Sequence, residues 1–364
     1  MFLNFSMPAD SYTSGPVAGS NYRFFGCYRF FLATLVMVSH ALSLIPGSDS
    51  LIRLSLGNIG VFSFFILSGF VVSESMHKFY FGRPGRFLMN RLLRLYPTYI
   101  AALIVTAAIY YACKHTEFQL LSWKDMIGNI ILVGQFLNIT TFSFISVAWA
   151  VVVEMQFYII IALVFFVLAR NQSYIFALAV GTLSYGLSSL GYLYVFETKS
   201  YTRVFGMLQF APYFILGAAI YCVLEKRIRS GLLASVLVSV TALMSLHAYY
   251  AYLTRNPAIN TYGYVYGSLF LFIGVVLLFI PLRHTQRFRQ YEKIDKYLGN
   301  LTYALFLIHP AIILLTAYVV SFRGLPAFAV VIALSIMSAI ILYHVVDLPL
   351  MALRDKIRGQ PLYA

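Results

Sequence analysis

Arg29 and His40 lie eleven residues apart in the otherwise apolar stretch "RFFLATLVMVSHALSLIPG". At about 100° per residue the two side chains share one helical face, separated by ~16 Å along the axis. Such a face carries a planar fork of cationic donors suited to phosphate at one end. At the other it carries an imidazole that accepts a proton near neutral pH. A ligand with phosphates at one end and its reactive atom at the other fits along it, and acyl-coenzyme A has that shape. Taken singly, each residue also has a structural reading, a snorkelling boundary cation and a hydrogen-bonded packing histidine.

Further polar residues recur at similar depth. Arg91 and Arg94 in "RFLMNRLLRLYP" sit three apart on one face, suited to phosphate capture or to membrane anchoring, with Pro97 expected just inside the start of the span. In "SVAWAVVVEMQFYIII" Glu154 falls about two turns from the outer end of its span, where a carboxylate needs a partner or a proton. Tyr158 follows at i+4, and Glu154 and His40, both in the outer half, are at depths where they could meet. In "LGNLTYALFLIHPAIILL" Tyr303 precedes His309 and Pro310, and His309 is either a second cavity residue or a core histidine beside a kink. Asp347 is expected to pair with a nearby arginine. Ser63, Ser68 and Gly69 allow close helix approach.

The elements that position these residues are set by composition. The 364 residues are 61% hydrophobic and 10% charged, far below the roughly 25% charge of a soluble domain. The expected fold is an all-α polytopic membrane protein. Apolar runs of bilayer length fall near 29–46, 56–76, 95–112, 147–169, 173–195, 203–224, 231–253, 262–282, 299–320 and 326–347, predicting ten transmembrane helices. A shorter, more polar stretch at 123–139 is read as re-entrant or interfacial. With ten spans and both termini cytoplasmic, most of the 26 Lys and Arg fall on the cytoplasmic side, whereas a crossing at 123–139 would leave most of them outside.

Residues 1–22 form a polar segment without a basic n-region before an apolar core, so the first span is expected to remain. A transmembrane domain follows at 23–350, then a short basic cytoplasmic tail at 351–364. The net charge of +14 is explained by cytoplasmic loops facing anionic lipid, so nucleic acid is not an expected partner. Cys27, Cys113 and Cys222 are odd in number and show no metal-like or redox spacing; no metal is expected.

Six stretches in order, Arg29 with His40, "GVFSFFILSGF" (60–70), "RLLRLYP" (91–97), "AWAVVVEMQFY" (148–158), "LGNLTYALFLIHP" (298–310) and "DLP" (347–349), resemble the membrane acyltransferase 3 family. The resemblance covers most of the chain. It implies transfer of an acyl group, usually acetyl, from cytoplasmic acetyl-coenzyme A to a hydroxyl of a carbohydrate such as lipopolysaccharide or exopolysaccharide, across a bacterial inner membrane. On that reading Arg29, Arg91 and Arg94 bind the donor, His40 is the general base with Glu154 as a second catalytic residue, and Trp149, Tyr158, Tyr303 and His309 contact substrate. The partners implied are acyl-coenzyme A, a saccharide or glycolipid acceptor and membrane lipid. The family's opening Leu-Asp-Gly-Leu-Arg-Gly is "FGCYRF" here, which keeps the arginine and lacks the carboxylate. The alternative function is a transporter or flippase for a lipid-linked saccharide, in which the same His and Glu relay protons.

Overall fold

A computed structural model describes residues 24–115, 122–132, 143–168, 206–225, 261–279 and 290–359, with a few positions between 238 and 245. The described chain is all-helical. Its elements are α1 (Phe25–Ala41), α2 (Asp49–Arg53), α3 (Leu56–Lys78), α4 (Pro84–Ala112), α5 (Trp123–Ile130), α6 (Ala148–Leu168), α7 (Gly206–Leu224), α8 (Thr261–Phe279), α9 (Glu292–Val319), α10 (Leu325–Leu342) and α11 (Leu348–Arg358). Among the described residues five helical stretches are long and apolar enough to cross a membrane: Phe25–Leu44, Asp49–Lys78, Pro84–Ala112, Glu292–Val319 and Leu325–Arg358. Large apolar side chains point outward, including Ile104, Leu163, Phe270 and Met337, as lipid requires and water would not. The expected spans at 173–195 and, almost entirely, 231–253 lie outside the described residues, as do 1–22 and 133–139.

Helix boundaries follow local chemistry. Proline at the first turn starts α4, α10 and α11, where the missing N–H costs nothing. Gly359, at φ 84°, ends α11 in the left-handed conformation that favours glycine. α4 starts eleven residues before the expected 95, because polar "PGRFLMNRLLR" continues the helix. Pro97 is therefore inside the helix, and Arg91 and Arg94 stand in its middle. α5 occupies the first part of the 123–139 stretch. A capping box opens it, with Ser122 Oγ accepting from the Asp125 N–H at 3.2 Å. Its eight residues span only about 12 Å. The hydroxyls of Tyr99 and Tyr96 donate to the Asn129 and Ile130 carbonyls, each at 2.7 Å, tying α5 to α4.

Two backbone approaches fix the bundle. Gly299 in α9 lies against Gly26 in α1, where a Cβ on Gly299 would stand 2.8 Å from the Gly26 Cα, and the Cys27 N–H donates to Asp295 Oδ1 at 2.7 Å. Gly69 in α3 and Gly217 in α7 interlock in the same way, a Cβ on either one meeting the other helix's carbonyls at Phe214 or Ile66. Small residues at such crossings let helices gain the close packing that drives association in lipid. Around them Phe65, Phe157, Phe210 and Phe214 form a continuous aromatic core, Phe157 stacking on Phe214 at 4.1 Å.

At the end of α10 the chain widens into a π-turn, Tyr343–Asp347, before α11 packs on α4. Among the described residues Asp347 forms no salt bridge, although Arg354 and Arg94 lie close enough for their charges to reach it. Its carboxylate instead accepts from Thr98 Oγ1 at 2.5 Å, because α4 brings that hydroxyl closer than any guanidinium. Asn90 Nδ2 then donates to the Arg354 carbonyl at 2.7 Å and holds α11 down.

Gly69→Val forces the α3–α7 backbones apart and is expected to cost at least about 1–3 kcal/mol, read as a lower melting temperature in detergent. Gly274→Ala, where a Cβ meets nothing within 4 Å, leaves the melting temperature unchanged or slightly raised.

Candidate active site

Three adjoining cavities run along α1. The first, about 130 Å³, has Arg29, Arg91, Arg94, Lys296, Arg354 and Arg358 in its walls, together with the carboxylates Glu74, Asp295 and Asp355. The second, about 90 Å³, shares Arg29, Arg91 and Arg94 with the first and adds Ser68, Glu154, Tyr158 and Tyr303 between apolar walls from Val61, Phe64, Phe65 and Phe306. The third, about 550 Å³, shares Val61 and Phe306 with the second and is lined by His40, Trp149, Ser39, Asn58, Asp49 and Arg53. Arg29 thus opens the row and His40 closes it, on the shared face that their spacing predicts.

Arg91 is buried, 7% exposed, in the middle of α4. Its Nη2 donates to Ser75 Oγ at 3.1 Å, and its guanidinium lies over the rings of Phe87 and Tyr158 at 5.2 and 5.4 Å. Cation–π contacts offset part of the desolvation of a buried cation. The Nε has no hydrogen-bond partner among the described residues. Arg94, one turn on, faces the same two cavities. A guanidinium held by rings and a hydroxyl, with donor capacity left over beside open space, is poised for an anion.

Glu154 is held by Ser68 Oγ at 2.8 Å and by the Tyr158 hydroxyl, both donating to Oε1. It faces the second cavity together with three arginines. Glu154 and His40 do not meet: the two side chains line different cavities. Tyr158 likewise stands in the second cavity, its ring against Phe87, rather than at an outer mouth with Trp149. The Tyr303 hydroxyl is buried without a hydrogen-bond partner among the described residues, beside the same cavity. Buried hydroxyls left unpaired are uncommon, and this one is a donor available to a bound ligand.

The partner of His40 is His309. The rings stack at 5.2 Å with an interplanar angle of 23°, and His40 Nδ1 lies 2.9 Å from His309 Nε2. His309 is fully buried, whereas His40 is exposed to the third cavity. His309 lines none of the three cavities. Its Nδ1 lies 3.1 Å from the Leu305 carbonyl, which can only accept, so Nδ1 carries the proton and the neutral ring presents a lone pair at Nε2. His40 Nδ1 must then be the donor between the rings. That leaves the lone pair of His40 on Nε2, the nitrogen free to act as a base.

Trp149 shares the third cavity with His40, packed edge-on to Phe65 at 6.2 Å. An aromatic face beside Ser39, Asn58 and Asp49 suits a polyhydroxylated ligand. Sequence reasoning did not single out Asp49 and Arg53, which sit on α2 in what reads as a loop, or Asn58, in the first turn of α3. It also left Arg354 in a basic tail. Their signal was only a polar cluster flanking an apolar run.

Diethyl pyrocarbonate is expected to acylate His40 in the folded protein and to spare His309, read by peptide mass spectrometry. Equal labelling of the two would contradict the exposed and buried assignment of the pair.

The model of a family described as an acyltransferase domain, the acyltransferase 3 family, matches residues 23–344, which include α1 through α10 and every residue of the three cavities except those on α11. No curated protein and no solved structure gave a match to the chain. With Arg29, His40, Arg91, Arg94, Glu154 and His309 all inside the matched region, the chain belongs to the acyltransferase 3 family and is a membrane acyltransferase.

Proposed function

We propose that the protein moves an acyl group, acetyl in the simplest case, from cytoplasmic acyl-coenzyme A to a hydroxyl of a saccharide or glycolipid across a bacterial inner membrane. On the topology expected from the sequence, with ten spans and both termini cytoplasmic, the arginine-lined cavity faces inside and the His40 cavity outside. The observation that carries this reading is the row of cavities, cationic at one end, narrow in the middle and open around a histidine at the other. Phosphates bind at Arg29, Arg91 and Arg94. The narrow apolar cavity takes the extended arm, with Glu154 accepting from its amide N–H groups and Tyr303 donating to a carbonyl.

At the far end the acceptor oxygen attacks the thioester carbonyl carbon as His40 Nε2 takes the hydroxyl proton. The new C–O bond forms, the C–S bond breaks, and the protonated His40 returns its proton to the departing sulfur. The ester and free coenzyme A are the products. A positioned base of this kind contributes about 10²–10⁴-fold. His309 holds the Nδ1–H of His40 and so keeps Nε2 aimed at the acceptor, in the manner of the residue that orients a catalytic histidine in a triad.

Mass spectrometry of surface glycans from cells with the wild-type chain, a deletion or His40→Ala at matched expression tests the reading. Loss of an acyl group in both altered strains is the expected result, and retention in His40→Ala alone removes His40 as the base. With purified enzyme, His309→Phe keeps the packing and lowers kcat at an unchanged donor KM. His309→Gln, whose amide oxygen accepts the same hydrogen bond, retains more activity; equal loss in the two would reduce His309 to a packing residue.

A further inference from the structure

The first cavity holds more positive charge than the matched family region supplies. Arg354 and Arg358 enter it from α11, beyond residue 344 where the family match ends. Three carboxylates line the same cavity, and each is already engaged: Glu74 with Lys78 at 2.7 Å, Asp355 with Arg358 at 2.9 Å, and Asp295 with the Cys27 N–H at 2.7 Å. Arg91, Arg94 and Arg354 form no salt bridge among the described residues, and the Nε atoms of both Arg91 and Arg354 are buried without a partner. Like charges gathered in a low dielectric repel strongly, and an arrangement of this kind persists where an anion completes it.

Arg354 is placed there deliberately by the backbone. The π-turn at Tyr343–Asp347 and Pro349 redirect the chain after α10, and Asn90, next to Arg91 on α4, grips the Arg354 carbonyl. Arg91 and Arg94 also face the narrow second cavity, whereas Arg354 and Arg358 face only the first. The cationic wall therefore has two ends, one at the waist and one on α11. Arg358 is paired with Asp355, whereas Arg354, with the Asp347 carboxylate in its field, forms no salt bridge among the described residues.

On the reading that the donor is acyl-coenzyme A, we propose that α11, through Arg354, forms a second phosphate subsite. It takes the donor's ribose 3′-phosphate, a phosphomonoester, while Arg91 and Arg94 take the diphosphate at the waist. The donor is then gripped at two anionic points, with the arm drawn into the second cavity from the nearer one. Selection for a donor carrying the phosphomonoester resides in α11.

Binding of coenzyme A and of its 3′-dephospho form to the full-length protein in nanodiscs tests this, with wild type, Arg354→Gln and Arg354→Lys. A charge-assisted hydrogen bond to phosphate predicts that wild type binds coenzyme A about tenfold or more tightly than the dephospho form. Arg354→Gln should abolish that preference while leaving the affinity for the dephospho form unchanged, and Arg354→Lys should keep part of it. Equal weakening of both ligands by Arg354→Gln, or no preference in wild type, overturns the second subsite and leaves the donor reading intact. Binding of neither ligand by wild type overturns the donor reading itself, and the subsite with it. Nanodiscs with and without phosphatidylglycerol distinguish the remaining source of phosphate. A wild-type preference that vanishes when the anionic lipid is present assigns Arg354 to lipid headgroups and also overturns the proposal.

Discussion

The distance between α1 and α9 is the constraint on which the site depends. It is fixed at one end by Gly26 against Gly299, where neither position has room for a side chain, and by the Asp295 carboxylate on the Cys27 N–H. Ten residues further along α9, the same closeness brings His309 Nε2 to 2.9 Å from His40 Nδ1. The two contacts lie at opposite ends of one helix pair, so the arginine end and the histidine end cannot be set independently. In lipid, with no hydrophobic force between helices, such a pair is held by close packing and by polar contacts, and here it has both.

Across that axis the polar groups change character in a definite order. At the first cavity the donors are guanidiniums in excess; at the waist a single carboxylate, Glu154, wrapped by Ser68 and Tyr158, faces three of those arginines; at the third cavity imidazole, indole, hydroxyl and amide stand beside one carboxylate, Asp49, and one guanidinium, Arg53. Arg91 is surrounded by two rings and a hydroxyl and Glu154 by two hydroxyls, groups that soften their desolvation. Such groups are costly in a membrane and are retained where something uses them. The order matches a long ligand with a polyanionic head, a slender amide-bearing arm and a reactive tip.

Much of this was legible in the residues and some was not, for a physical reason. Periodicity within one helix fixes which side chains share a face, so Arg29 with His40 and Arg91 with Arg94 were readable. Apolar runs of bilayer length located helices that the structure forms at α1, α3, α4, α6, α7, α8, α9 and α10. The relative height of two helices is set by tertiary contacts such as Gly69 against Phe214, which spacing along one chain does not encode. Hence Glu154 and His40 looked like neighbours and are not, and Tyr158 turned out to serve Arg91 and Glu154 at the waist. Asp347 similarly found Thr98, because the continuation of α4 through Pro97 brought a hydroxyl to a place where only arginines had been visible. Arg354 was hidden differently: a basic stretch after the last span reads as an anchor unless the π-turn that folds it back is known.

The absence of Glu154 from the neighbourhood of His40 changes the chemistry open to the proposed base. A carboxylate partner would place a permanent negative charge against an imidazole in a region of low dielectric, and the resting pair would need further cations to balance it. His309 is neutral, and its own proton is committed to the Leu305 carbonyl, so the resting relay carries no charge and incurs little desolvation cost. When His40 takes a proton at Nε2 in the proposed transfer, the new positive charge strengthens the hydrogen bond from Nδ1–H to His309 Nε2, and through it the bond to the carbonyl. Stabilisation then appears only as the charge develops, which is the condition for an interaction to speed a reaction and not merely to bind its reactants.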